Sequence, residues 1–201
     1  MSASFYLNTT KQTESVIGCR FCVAVLLCCL LLVNSHAKAE GIEIREANSV
    51  LINGQYRLNA EIGYTFTEAV LEALKSGVAI TLMLSVEIER TRSILWNEKI
   101  STILQHNVLQ YHALSGTYLV KNKDTAKQQT YLTLNGALED IGRVTELPLL
   151  PARQLKADEQ YLVKMKSEIE IDALPAPLRP VAHISNDWNI NSEWFVCDLR
   201  S

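Results

Sequence analysis

The chain has 201 residues with 19 basic and 22 acidic side chains, a formal net charge of −3. Lys11, Arg20, Lys38 and Glu14 lie in the first 39 residues, so the remainder carries 16 basic and 21 acidic groups, net −5. That balance argues against nucleic acid or anionic lipid as a main partner, because both reward clustered Lys and Arg.

Lys11 and Arg20 precede an apolar run, Phe21 to Val33, of 13 residues. At roughly 1.5 Å per residue it covers about 20 Å, short of the roughly 30 Å hydrocarbon core, so it suits a secretory signal better than a spanning helix. Ala37-Lys38-Ala39 supplies the small residues of a cleavage site, so residues 1–39 are expected to be removed before Glu40, leaving a periplasmic or secreted protein with no stable membrane span. The competing expectation is an uncleaved inner-membrane anchor reaching back to Val16. Cys19, Cys22, Cys28 and Cys29 fall in the same segment, which leaves Cys197 alone in the exported part, read as a small buried hydrophobe.

From Glu40 onward the dominant signal is period two. Ile42 to Arg45 opens a strand, and Asn53-Gly54 between Val50-Leu51-Ile52 and Tyr56-Arg57-Leu58 predicts a type I′ hairpin, since both residues tolerate positive φ. Thr65-Phe66-Thr67-Glu68 has capping-box spacing before a helix through Val70, Leu71 and Leu74, with Gly77 placed to end it. Val78, Ile80, Leu82, Leu84, Val86 and Ile88 alternate with polar residues and predict a central strand. Shorter strands are expected over 95–100, 108–114, 118–121 and 131–134. Leu138, Ile141 and Val144 make a helical stripe over 135–147 that Pro148 stops. A strong strand follows through Tyr161, Val163, Met165, Ile169 and Ile171. The run from Leu174 to Pro180 reads as an extended, proline-stiffened tail before a last strand through Trp194-Phe195-Val196. The expected fold is mainly β: a single antiparallel β-sandwich or strongly curved sheet with two short covering helices, one domain over 40–201.

Residues Tyr131 to Leu147, Glu146-Leu147-Pro148-Leu149-Leu150, Leu174 to Arg179, Asn186-Asp187-Trp188 and Ser192-Glu193-Trp194-Phe195 together resemble the proteobacterial family catalogued as domain of unknown function 4390. The resemblance covers nearly all of the exported part. It implies a Gram-negative envelope protein with a signal peptide and no assigned activity, encoded beside a sensor-kinase pair. It carries no catalytic residue across.

No pattern points to a cofactor or a metal. His106 and His112 on one strand would stand roughly 20 Å apart, and His183 is alone. Glu87 with Glu89, and Glu168 with Glu170, have the roughly 7 Å spacing of paired carboxylates but read as solvated strand faces. Ser115 lacks a nucleophile elbow, and Lys121, Lys123 and Lys127 fit a solvated turn. The cluster singled out is Arg179, Asp187, Trp188 and Trp194, either a recognition platform or a lid closing the β core. The functional expectation is a non-catalytic protein-binding or accessory module of the envelope, whose partner is an envelope or membrane protein such as a sensor kinase. The alternatives are an envelope hydrolase or carbohydrate-active enzyme, and a carrier whose apolar ligand would lie among Leu82, Leu84 and Val163.

Overall fold

The computed structural model describes residues 41–156 and 158–199. The signal expected over residues 1–39, with its apolar run and cleavage site, lies outside the described residues.

The described chain runs β1 (Gly41–Ile52), β2 (Gln55–Thr65), α1 (Glu68–Lys75), β3 (Ile80–Arg90), β4 (Glu98–His112), β5 (Thr117–Asn122), β6 (Gln128–Tyr131), α2 (Leu134–Gly142), β7 (Arg143–Pro151), β8 (Tyr161–Ile169), α3 (Arg179–Ile184) and β9 (Phe195–Asp198). Short 3-10 turns cover Ala152–Gln154, Ile171–Ala173 and Asn186–Trp188. The strands form two antiparallel sheets, β1-β2-β7 and β6-β5-β4-β3-β8-β9. The fold is therefore mainly β, and the two sheets share one core. From β2 come Leu58 and Ile62, and from the larger sheet Leu82, Val86, Val163 and Met165. Hydrophobic burial of this common face is the main stabilising term.

β3 lies between β4 and β8, and its alternate residues Ile80, Leu82, Leu84, Val86 and Ile88 are all buried. Glu87 and Glu89 point to the opposite face, but they are not the solvated pair expected from the sequence: Glu89 is buried and Glu87 largely covered, because Lys99 and Lys164 fold over them in ion pairs. Leu82, Leu84 and Val163, the lining proposed for an apolar carrier, are packed into the core. Asn53 and Gly54 have φ of 52° and 74°, the left-handed pair the β1–β2 turn requires. Gly77, at φ 88°, ends the segment after α1 as its position implies.

Several boundaries differ from the sequence expectation, each for a local reason. α1 is capped by Thr67, whose hydroxyl accepts from Val70 N, because β2 keeps pairing with β1 as far as Thr65. The stripe through Leu138, Ile141 and Val144 spans two elements. α2 ends at Gly142, where a Cβ would lie 2.1 Å from the Ile62 carbonyl oxygen, and only glycine permits that approach. Val144 then belongs to β7, which pairs with β2 and carries Pro148 in the strand instead of ending a helix. The proline is tolerated because β7 is an edge. The strands expected over 95–100 and 108–114 are one 15-residue strand, β4, that starts at Glu98. A third helix, α3, stands where an extended tail was expected. Pro180 occupies its first turn, where a missing N–H costs nothing.

Candidate functional site

β8 ends at Ile169, and the chain then builds a cap over that end of the larger sheet. Glu170 N donates to the Thr81 carbonyl at 2.9 Å, which turns the backbone into the 3-10 turn Ile171–Ala173. Leu174 follows, fully buried, and its carbonyl accepts from Arg179 Nε at 2.7 Å. α3 buries Ala182 and exposes Val181 and Ile184, which share one face at i, i+3. His183 Nε2 lies 3.2 Å from Asp172 Oδ1 and ties α3 to the 3-10 turn. Ser185 caps the next turn by accepting from Asp187 N, and the Asp187 carbonyl accepts from Thr67 Oγ1 at 2.8 Å, which fixes the cap to α1.

Residues 189–192 then return alongside β8. Ile169 N donates to the Ile190 carbonyl, Glu168 bridges Asn191, and Ser192 N donates to the Ser167 carbonyl. Between this strap and the end of β8 lies a cleft of about 340 Å³. Its apolar lining comes from Met83, Ile171 and Trp188, and its polar lining from Lys166, Glu168, Glu170, Asp172 and Asn189. Lys166 Nζ is 2.8 Å from Glu168 Oε2, so that pair is satisfied internally. Glu170 Oε2 is different: it is shielded from solvent without a hydrogen-bond donor, and Lys123 Nζ stands 3.9 Å away.

The four residues singled out from the sequence are separated by this geometry. Trp188 is buried at 7 % exposure and lines the cleft, and Asp187 precedes it in the same turn. Arg179 serves the backbone at the start of α3. Trp194 stands apart beside β9, 42 % exposed, with Lys164 Nζ 5.0 Å above its ring. Cys197 faces the core side of β9 opposite Val163.

His106 lies 3.7 Å from Asp124 and His112 is exposed at the far end of β4. Among the described residues no three His, Cys, Asp or Glu side chains gather as metal ligands. Also among them, no helix is long and apolar enough to cross a membrane. Sequence reasoning missed Met83, Ile171 and Asn189. The spacing of Val181 and Ile184 was the one available sign that the tail coils instead of running straight.

These features define a mainly β module whose larger sheet is capped at one end and carries a mixed polar and apolar cleft there. The chain belongs to the family described as Domain of unknown function (DUF4390), whose model matches residues 39–198. No curated protein and no solved structure matches it.

Proposed function

We propose that this protein is an exported, non-catalytic accessory module that binds an envelope or membrane protein through the cap cleft. The cleft's own chemistry carries the reading. It joins an apolar wall of Met83, Ile171 and Trp188 to the Glu170 carboxylate, one oxygen of which has no hydrogen-bond donor and only the Lys123 ammonium 3.9 Å away. A charged hydrogen bond to such an oxygen contributes about 1.5–3 kcal/mol net, and leaving it unmade costs a comparable amount. The occupant that satisfies both walls is a short segment of a partner chain with one apolar side chain beside a Lys or Arg. Val181 and Ile184 on α3 add exposed apolar area to the same cap. The resemblance noted from the sequence makes the sensor part of a membrane kinase the first partner to test.

A photo-crosslinking residue at Asn189, on the exposed margin of the cleft, tests this in intact cells. One envelope protein should be captured from the parent, and Glu170→Gln should lose most of that capture while melting like the parent. Capture that is indifferent to Glu170→Gln, or no capture at all from a folded chain, would overturn the reading.

A further inference from the structure

At the opposite end of the larger sheet, the β3–β4 connection carries three consecutive large apolar residues in water. Ile94 is 93 % exposed, Leu95 63 % and Trp96 91 %. Arg90, the last residue of β3, pairs with Tyr161 at the start of β8, whereas the cleft borders the other end of β8, from Lys166 to Ile169. The two features are therefore separated by roughly 17 Å of strand at their nearest.

The base of this loop is held firmly. Thr91 N donates to the Gln160 carbonyl at 2.9 Å, and Asn97 Nδ2 donates to Glu89 Oε2 at 3.1 Å. Behind the tip, Arg90, Arg92 and Lys156 share two carboxylates, Glu98 and Glu159. With Asp158 in the same segment, three cations face three acids, so the apolar residues stand beside a balanced group of charges. The tip thus stands on a braced base, with Ile94 and Trp96 wetted almost all round and Leu95 over most of its surface.

We infer that the Ile94-Leu95-Trp96 tip inserts into the interfacial zone of a lipid bilayer. A rigid protein surface would need a matching hollow for each of three separately projecting side chains, whereas a bilayer receives them together without prior complementarity. Tryptophan favours the headgroup level, where its ring is half apolar and half wet, and the aliphatic pair reaches deeper. Arg92 and Lys156 lie where lipid phosphates would be met. The net charge of −5 over residues 40–201 disfavours a broad electrostatic attachment to anionic lipid, so the insertion is driven by apolar burial and favours zwitterionic lipid. Attachment through one apolar element is weak and reversible, on the order of 10⁴ M⁻¹ or below. The inference does not depend on the cap cleft, which lies at the other end.

Trp96 is its own reporter in the full chain. Emission would be followed with vesicles of phosphatidylethanolamine and phosphatidylcholine, and the Trp96→Phe chain subtracted to remove the signals of Trp188 and Trp194. The expected result is a blue shift, quenching by lipids brominated in the upper acyl chain, and little change at raised salt. Leu95→Asp retains the reporter and should weaken partition about 10- to 100-fold, the loss expected for one buried leucine side chain. Leu95→Phe should preserve it, and unchanged thermal melts show that both variants fold. Trp96 emission indifferent to vesicles, or equally shifted in Leu95→Asp, would overturn the inference. So would shielding that requires protein-containing membranes, since the partner of the tip would then be a protein.

Discussion

Trp188 and Trp194 share a residue type and lie six positions apart, yet their surroundings set very different consequences for removal. Truncating a well-buried tryptophan to alanine costs about 3–5 kcal/mol through lost transfer energy and the cavity left behind. Trp188, at 7 % exposure, falls in that class. One side of its ring already borders the 340 Å³ cleft, so the vacated space opens to water instead of becoming a sealed void. The cavity contribution is then reduced, and about 3 kcal/mol is the expected cost. For a domain of this size each kcal/mol lowers Tm by about 2–4 °C, so Trp188→Ala should melt about 6–12 °C below the parent. Trp194 is 42 % exposed, so its truncation removes less apolar burial than that of Trp188, together with the Lys164 ammonium held over its ring, a contact of about 0.5–1 kcal/mol. Trp194→Ala should fall by less than Trp188→Ala. Calorimetric melts with urea midpoints on the same proteins measure both. Equal losses in the two variants, or a larger one for Trp194→Ala, would refute the assignment of Trp188 as the residue that holds the cap to the sheet.

Burial pushes the Tyr64 hydroxyl up to about 12, against the hydrogen bond with Ser167, which lowers it. A folded value above the unfolded one of 10.0 means that this contribution is whole below pH 10 and is lost as pH rises through about 12, up to roughly 2–3 kcal/mol. Melting curves across that window should show a steeper alkaline decline for the parent than for Tyr64→Phe, and parallel declines would contradict the burial. Export is tested separately: N-terminal sequencing of the envelope form should begin at or near Glu40, and an intact Met1 in membrane-embedded protein would favour the anchor.

The sequence displayed the parts of the fold in which one residue's neighbours along the chain decide its place. β8 alternates strictly and β3 does so apart from Thr81 and Glu89, because one face of each is core and the other lies outside it, and the Asn53-Gly54 turn is written in two residues that accept positive φ. The parts it concealed are those decided across the chain. Val144 satisfies a helical stripe and a strand equally well, and what assigns it to β7 is β2, more than eighty residues earlier, pressing Ile62 against Gly142. Leu95-Trp96 reads as the start of a strand over 95–100, but β3 and β4 meet only from Arg90 and Glu98 onward, which leaves these residues, with Ile94, beyond the ladder. The cleft was invisible for the same reason. Met83, Ile171 and Asn189 converge only once the tail has turned back along β8.

That return path is secured by polar groups inside an apolar core. Ser167 is fully buried on the inner face of β8, where the alternation otherwise provides Val163, Met165 and Ile169. Its hydroxyl meets Tyr64 OH at 3.1 Å, linking the larger sheet to β2 in the smaller one. Its backbone N donates to Ser192 Oγ at 3.0 Å, and its carbonyl accepts from Ser192 N at 2.8 Å. An aliphatic residue at either serine would add apolar burial but leave a buried donor or acceptor unmade, at a cost of about 1–3 kcal/mol. Hydrophobic contact alone would let the strap slide along β8, because packing of Ile190 tolerates several positions. The reciprocal serine bonds admit one register, the one that sets Asn189 and Trp188 opposite Glu168 and Glu170. The same few bonds therefore fix the two sheets to each other and give the cleft its shape.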